Sequence, residues 1–311
     1  MALGKVSGTI LKRSVVNLIG EGPRTAVDSA VLATEGKYIL AASETGLCDN
    51  PASSRISVYK AANNIWAAGG TLRGIEGVFM LPEKYKERWL KELTRDVLAA
   101  CRDCGVSLMG GHTEVSDAVT RPCVTITAIG DSNGEPLHIK NVQPGMELIV
   151  TKWIGLEEAS YILSNPGLTD NINKRFSQAY FDEIRNCISW LTIKDEAAVA
   201  VKHGAAAMHD ISDGGIFGAL WEFCEGAGLG MEIDLKAIPV RQEIIELTTF
   251  LGMNLYRVKS SGSLLIAAPD GETMVKALRE EGIPAAVIGK LTSGNDKILH
   301  NDDEIRYLEK A

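Results

Sequence analysis

The sequence predicts a two-domain protein of mixed α/β or α+β class, and three observations support this prediction. The chain has 311 residues, which is long for one hydrophobic core and suggests two domains. Short apolar runs with strand character alternate with helical segments in both halves. A polar segment at 131–145 contains two glycines and two prolines, and we place the domain boundary at its end, giving domains 1–145 and 146–311.

Composition and charge exclude several functional classes. The net charge of -8 argues against a nucleic-acid binder and against docking on an anionic membrane. It leaves nucleotides open, because a glycine loop or a metal can hold phosphate on an acidic protein. No apolar run is long enough to span a bilayer, the first residues lack a signal-peptide core, and six cysteines are too few for a disulfide scaffold. We therefore expect a cytoplasmic protein.

The N-terminal half shows strands in adjacent runs, which predicts an antiparallel or mixed sheet. Gly69-Gly70 ends one predicted helix, and Gly105 ends a second whose apolar stripe includes Leu93 and Val97. The segment 43–54 is polar and is predicted to be turn-rich. The predicted elements are a helix at 1–22, strands at 26–33, 38–42 and 74–81, and helices at 56–68 and 83–104.

Two apolar runs, 106–109 and 123–129, flank the sequence Gly110-Gly111-His112-Thr113-Glu114. We expect Gly110-Gly111 to form a sharp turn after a buried strand, since glycine lets the backbone turn and lets a ligand approach it closely. The alternative is a hairpin turn with polar residues exposed at its tip. Taken alone, the two glycines favour that alternative.

In the C-terminal half, strand and helix signals alternate again from 148 onwards. The predicted strands are 148–151, 205–208, 231–233, 264–268 and 285–289. The predicted helices are 155–165, 173–191, 194–202, 216–225, 241–251 and 272–281.

The segment Asp210-Ile211-Ser212-Asp213-Gly214-Gly215 carries the strongest local signal for chemistry. Two carboxylates follow a strand and precede a helix N-terminus, whose free N–H groups suit phosphate. Mg²⁺ prefers such oxygen ligands and bridges to phosphate oxygens. The alternatives are that Asp213 caps the helix and that Asp210 only shapes the turn.

Other polar residues are weaker candidates. Asp28 lies inside an apolar run, where an acid is costly to bury unless paired or metal-bound, but it could also face solvent on an edge strand. His112 and His209 could contact phosphate or transfer protons, and a structural hydrogen bond is at least as plausible for His209. Cys101 and Cys104 continue a helical apolar stripe, and we interpret them as core thiols.

With these residues in view, the chain resembles the PurM-like ATP-binding superfamily, and within it the AIR synthase-related or HypE-like proteins. The resemblance runs nearly end to end. Each matching segment is short, but their order is specific. The segments are Val27–Val31, Ala42–Glu44, Ala62–Gly69, Gly110–Val115, Thr151–Glu157, His209–Gly215 and Ile238–Val240.

This resemblance implies a homodimer of two-domain protomers whose N-terminal sheets combine into a barrel, with ATP in a cleft and Mg²⁺ held by acids of both domains. Asp213 and His112 are the implied catalytic residues. The implied metal ligands are Asp28, Asn64 and Asp210. The implied nucleotide contacts are Glu44, Asn63, Gly110, Gly111, His112, Thr113 and Lys152.

Some residues depart from the family pattern. Family members usually carry aspartate at the positions of Glu44 and Asn64, and HypE ends in a cysteine, whereas the last cysteine here is Cys224. The expected function is an ATP- and Mg²⁺-dependent enzyme of the HypE-like branch that activates an unknown small substrate by phosphoryl transfer, without the HypE cysteine route. The alternative is a catalytically weakened nucleotide-binding or regulatory protein.

Overall fold

A computed structural model describes residue 10, residues 28–48, residue 50 and residues 52–309. Apart from residue 10, the helix predicted at 1–22 lies outside the described residues, as does the start of the strand predicted at 26–33. The described chain forms two sheets with helices packed against them, so the predicted mixed class is confirmed. No described helix combines the length and apolarity needed to cross a membrane.

The first sheet has five strands in the order β1-β2-β5-β3-β4. Only β3 and β4 run parallel, which gives the mixed sheet predicted for this half. Two helices, α1 and α2, follow β2 and β3 along the chain. The strands are β1 Ala30–Thr34, β2 Lys37–Leu47, β3 Thr71–Leu81, β4 Leu108–Val115 and β5 Cys123–Ser132, and the helices are α1 Ser53–Ala67 and α2 Glu87–Asp103.

Alternation along the strands separates the two faces of this sheet. On β2, Leu40 and Ala42 are buried towards α1, whereas Ile39 and Leu47 point to the other face and are about 40% exposed. On β5, Val124 and Ile126 are fully buried on the helix side. We call the second side, which no described helix covers, the open face.

Helix α1 is buried on nearly all sides rather than along one stripe. It packs on β2, β5 and β3 and also contacts β7 of the second sheet. Its small residues, such as Ala61 and Ala62, are fully buried, and so is the larger Tyr59. A helix buried all round lies in the interior of a protein, and here it lies between the two sheets.

The second sheet has seven strands in the order β12-β11-β8-β10-β6-β9-β7, and only β11 and β8 are parallel. Its strands are β6 Glu147–Thr151, β7 Ala207–Asp210, β8 Gly230–Asp234, β9 Leu264–Ala268, β10 Ala285–Thr292, β11 Lys297–Asn301 and β12 Glu304–Tyr307. The helices are α3 Leu156–Leu163, α4 Pro166–Arg175, α5 Asp182–Arg185, α6 Lys194–Lys202, α7 Gly215–Ala227, α8 Gln242–Phe250 and α9 Gly271–Glu280.

The turn predicted at Gly110-Gly111 is wrong, because both residues lie inside the continuous strand β4. Gly111 has a φ of 147° and pairs with Gly77 of β3. A Cβ at Gly111 would lie 1.7 Å from the Gly77 carbonyl oxygen. The glycine is therefore needed for close approach of two strands, not for a change of direction.

Two further predictions are wrong. Residues 43–47 continue β2 instead of forming a turn, because the hydroxyls of Ser43 and Thr45 each pair at 2.9 Å with a threonine of β5. The single helix predicted at 173–191 is broken into the end of α4, the short α5 and two 3₁₀ turns, Gln178–Phe181 and Cys187–Leu191. Stacked and edge-on aromatic contacts of Phe176 with Tyr180 and Phe181 accompany this break.

Candidate functional site

The candidate site is built on the buried helix α1, which presents Lys60 and Asn64 on one face, one helical turn apart. Both residues face Glu44 of β2. The Asn64 amide donates to Glu44 Oε1 at 3.1 Å, and Lys60 Nζ lies 3.8 Å from Glu44 Oε2. Burial raises the pKa of Glu44, while Lys60 and the Asn64 hydrogen bond oppose that rise.

Lys60 also reaches the second domain. Its Nζ lies 2.9 Å from Asp213 Oδ2, and only 10% of its side chain is exposed. Burial alone would lower the pKa of Lys60, but the charges of Glu157, Asp213 and Glu44 outweigh it and raise the pKa. The ammonium is therefore held charged inside the protein by carboxylates of both domains.

Asp213 stands at the end of a tightly fitted loop. Gly214 and Gly215 have φ values of 85° and 63°, and a Cβ on Gly215 would lie 2.6 Å from two carbonyl oxygens of 256–258. Helix α7 begins at Gly215, and its N-cap residue is Gly214 rather than Asp213. The Asp213 carboxylate reaches Lys60 and, at 3.7 Å, the exposed Lys259.

Asn63, the third polar residue of this part of α1, is fully buried and joins three segments. Its amide donates to the Leu191 carbonyl at 2.9 Å and to Asp210 Oδ1 at 3.3 Å. Its amide oxygen accepts from the Ile193 N–H at 3.1 Å. Asn63 thus fixes Asp210, at the end of β7, relative to the turn that precedes α6.

A buried ion pair connects Asp28 to the same strand end. Asp28 Oδ1 lies 2.6 Å from His209 Nδ1, and Glu222 Oε2 lies 3.7 Å from His209 Nε2. Burial lowers the pKa of His209, but Asp28 and Glu222 outweigh it and raise the pKa to about 10. Burial, together with the charge of Asp28, raises the pKa of Asp210 well above its usual value.

These oxygens fit Mg²⁺ in chemistry without forming a closed cage. Among the described residues, no three His, Cys, Asp or Glu side chains cluster closely enough to hold a metal by themselves. Mg²⁺ usually keeps several waters and takes only one or two carboxylates plus phosphate oxygens. Asp28 and Asp210 are such a pair, since the charge of one raises the pKa of the other and a cation would relieve that repulsion.

Lys152, a predicted nucleotide contact, lies on the other side of the turn held by Asn63. Its three ammonium protons have three acceptors, namely Glu196 Oε1 at 2.6 Å and the carbonyls of Trp190 and Thr192 at 2.7 and 2.6 Å. The residue has a φ of 53° and is 8% exposed. In this structure Lys152 ties 190–192 to α6.

The structure does not bring the glycine strand to the acids within one protomer. Gly111 stands in the same register row as Glu44, but β3 and β5 lie between them, a separation of about 14 Å by strand spacing. His112 stands in the row of Val78 and Thr125 on the open face, and its Nε2 lies 3.3 Å from Glu114 Oε2. Gly110 and Thr113 are exposed on the same edge strand.

Four residues of the site were missed from the sequence, namely Lys60, Glu157, Glu222 and Lys259. Glu157 is 3% exposed and accepts from the Ser261 N–H at 3.3 Å. Lys60 had a detectable signal, because it is the one charged residue between Val58 and Ala62 and lies four residues before Asn64. A pocket of about 380 Å³ opens next to Asp213, and its lining includes Gly214, Arg257 and Lys259.

Two family models together match most of the chain. The model of the AIR synthase related protein N-terminal domain matches residues 26–132. The model of the corresponding C-terminal domain matches residues 143–301. The two ranges contain both sheets apart from the last strand, and all of the site residues described above.

Relatives and solved structures agree with this match. Carbamoyl dehydratase HypE of Rhodobacter capsulatus is 24% identical over 76% of this chain and 68% of its own length. Selenide, water dikinase of Geobacter metallireducens is 27% identical over 76% of this chain and 66% of its own length. Hydrogenase maturation protein HypE in complex with ATP superposes with a TM-score of 0.74 at 18% identity, covering 100% of this chain and 96% of that one. AaThiL complexed with AMPPCP and TMP superposes with a TM-score of 0.77 at 16% identity, covering 100% of both chains.

Proposed function

Since the chain belongs to the family of AIR synthase related proteins, we propose that it is an ATP- and Mg²⁺-dependent enzyme of the HypE-like branch that activates a small substrate by phosphoryl transfer. The PurM-like fold expected from the sequence is confirmed by both domain matches and by the superpositions on HypE and ThiL. The substrate and the transfer reaction are the proposed part of this statement.

The observation that carries the proposal is the meeting of acids from both domains around α1. Asp28 and Glu44 come from the N-terminal half, and Asp210 and Asp213 from the C-terminal half. Asp28 and Asp210 would hold the metal. When bound, Mg²⁺ would neutralise charge on phosphate oxygens. Structural relatives support the choice of ligand, since one HypE structure contains ATP and one ThiL structure contains AMPPCP.

The remaining residues have roles that follow from their contacts. Lys60 would keep positive charge next to the phosphates, and Asn63 would keep Asp210 in position through its bond to Oδ1. Asp213 precedes Gly215, which fits closely against 256–258, and it would orient that loop or accept a proton from the substrate. We keep Gly111, His112 and Thr113 as proposed phosphate contacts. Because these residues lie away from the acids of their own chain, they would have to reach the phosphates of a nucleotide bound by the second protomer of a dimer.

We also propose a cytoplasmic homodimer. The open face of the first sheet exposes Ile39 and Leu47 on β2, and Leu32 of β1 stands in the register row of Ile39. The edge strands β1 and β4 also expose Val31, Met109 and Val115. Exposed apolar surface of this kind marks association sites. None of the six cysteines forms a disulfide, which supports a reducing compartment.

Calorimetric titration with ATP, with and without Mg²⁺, tests the proposal. We expect metal-dependent binding to the native protein and its loss in Asp210→Asn, which preserves side-chain size at a buried position. The matched control is Asp131→Asn, which removes a carboxylate from a surface pair with Arg73 and is expected to bind as the native protein does. Equal binding by Asp210→Asn and native protein would remove Asp210 from the site.

A second candidate is a nucleotide-binding or regulatory protein with weakened turnover, and the Asn64 contact favours it. The Asn64 amide donates a hydrogen bond to Glu44. An aspartate at position 64 would instead offer a charged metal ligand. Under this alternative, Asn64→Asp strengthens Mg²⁺-dependent ATP binding about tenfold, or about 1.4 kcal/mol, and raises ATP hydrolysis. A loss of native activity in the same variant would instead indicate a site tuned to asparagine.

A further inference from the structure

Lys60 occupies a place where oxygen ligands converge. Its Nζ lies 2.9 Å from Asp213 Oδ2 and 3.8 Å from Glu44 Oε2, and Glu157 is close enough to act on its charge. These acids come from different elements, β2, α3 and the loop before α7. An unpaired ammonium would be costly to bury, so its position depends on these carboxylates.

The carboxylate oxygens around Lys60 are already engaged. Glu44 Oε1 accepts from the Asn64 amide, and Glu44 Oε2 faces Lys60. Asp213 Oδ2 is bonded to Lys60, while Asp213 Oδ1 lies 3.7 Å from Lys259. Glu157 Oε2 accepts from a backbone N–H. A divalent ion bound between Glu44 and Asp213 would have to displace the Lys60 ammonium, because both cations need the same oxygens.

The Asp28–Asp210 pair differs in this respect. Asp28 Oδ1 lies 2.6 Å from the His209 imidazole, and Asp210 Oδ1 accepts from the Asn63 amide. The Lys60 ammonium instead bonds to Asp213 and faces Glu44, so a divalent ion at Asp28 and Asp210 would not compete with it for those oxygens. The site thus contains one acidic pair bridged by an ammonium and a second pair held by an imidazole and an amide.

We infer that Lys60 is the resident cation of the candidate site, filling the place between Glu44 and Asp213 that a second divalent ion would otherwise take, so that the nucleotide binds with a single divalent ion at Asp28 and Asp210. This inference deepens the proposed function and rests on it for the nucleotide. Lys60 is then a specificity-determining residue, which sets how many metal ions the site accepts.

The test counts Mn²⁺ ions bound per protomer by equilibrium dialysis at saturating ATP. We expect one ion for the native protein and two for Lys60→Met, which keeps the length of the side chain and removes its charge. Without nucleotide, the same variant should bind Mn²⁺ about tenfold or more tightly than the native protein, because two acids have lost their cation. The double variant Lys60→Met/Asp213→Asn should return to one ion.

Lys297→Met is the matched control. Lys297 is equally buried, and its Nζ lies 2.8 Å from Glu225, outside the site and next to a single carboxylate. It should fold with a similar loss of ion pairing and still bind one Mn²⁺. A merely structural role for Lys60 predicts the same result for both lysine variants.

Two native ions, or one ion in folded Lys60→Met, would overturn the inference. Should Lys60→Met fail to fold, as monitored by circular dichroism, the number of Mn²⁺ ions bound by the native protein still tests the inference. One ion supports it, and two ions contradict it. A native protein that binds no ATP would contradict the proposed function instead. The nucleotide-free Mn²⁺ titration would then still decide the role of Lys60.

Discussion

His209 shows how a single residue can hold a proposed metal ligand in place. Its imidazole lies between Asp28 and Glu222, with the shorter contact, 2.6 Å, to Asp28. Since β7 presents His209 and Asp210 in succession, one residue orients an acid and the next is itself an acid of the site. From the sequence, a structural hydrogen bond was one of the alternatives for His209. Its ion pair with Asp28 gives His209 such a structural role.

We expect the His209 pair to give the metal-free protein a specific dependence of stability on pH. The pKa of His209 rises from 6.5 to about 10 on folding, so its contribution is complete below pH 6.5 and is lost as pH rises towards 10. His209→Gln should lower the free energy of unfolding by about 3 kcal/mol at pH 6. It should also flatten the fall in stability between pH 6.5 and 10. Urea titrations across this range measure both effects, and an unchanged slope would contradict the assignment.

Sequence reasoning at the residue scale found the acids more readily than the cations. Asp210 and Asp213 were recognised because a carboxylate pair between a strand and a glycine-rich helix start is a local pattern. Lys60 was missed because its shortest ion pair is with Asp213, which lies 153 residues away along the chain. Its ion pair is a property of how two domains pack, which no local pattern contains.

At the scale of elements, strand β4 depends on glycine for its pairing rather than for a turn. Gly111→Ala would place a Cβ 1.7 Å from the Gly77 carbonyl oxygen at a φ of 147°. We expect a loss of about 3 kcal/mol or more in the free energy of unfolding, since strain at such a position is among the larger single-residue effects. Urea unfolding monitored by tryptophan fluorescence provides the measurement.

Gly110→Ala is the matched control for this prediction, because a Cβ there meets no atom within 4 Å. It should change stability by about 0.5 kcal/mol or less. Equal losses in both variants would mean that the strand tolerates alanine at 111 by shifting, and that the close approach to β3 is not required.

Element types were predictable where periodicity extended over many residues. Helix α2 was expected at 83–104 and is found at Glu87–Asp103, because its apolar stripe repeats at helical spacing through Leu93, Val97 and Cys101. Strand β2 was predicted too short, since Ser43, Glu44 and Thr45 are polar. They continue the strand because the β5 threonines bond to Ser43 and Thr45, while Glu44 faces α1. Such cross-strand partners are set by topology and not by local sequence.

At the scale of the whole molecule, the open face of the first sheet predicts association. Ile39→Lys combined with Leu47→Lys should convert a dimer into a monomer by placing charges on this face. Sedimentation velocity over a range of concentrations would measure the change in mass. The control is Leu168→Lys, which charges an equally exposed leucine on α4 of the other domain and should leave the mass unaltered. A native protein that sediments as a monomer at all concentrations would contradict the dimer.

The position of α1 between the two sheets has a consequence for how the sequence of this protein can evolve. Lys60 is matched to Asp213, and Asn63 is matched to the backbone of 191–193 and to Asp210. A neutral residue at 60 would leave the acid at 213 without its ion pair. Substitutions at 60 and 213 should therefore be inherited together among homologues, and a chimera that joins this N-terminal half to another relative's C-terminal half should recover its site only when both positions come from one parent.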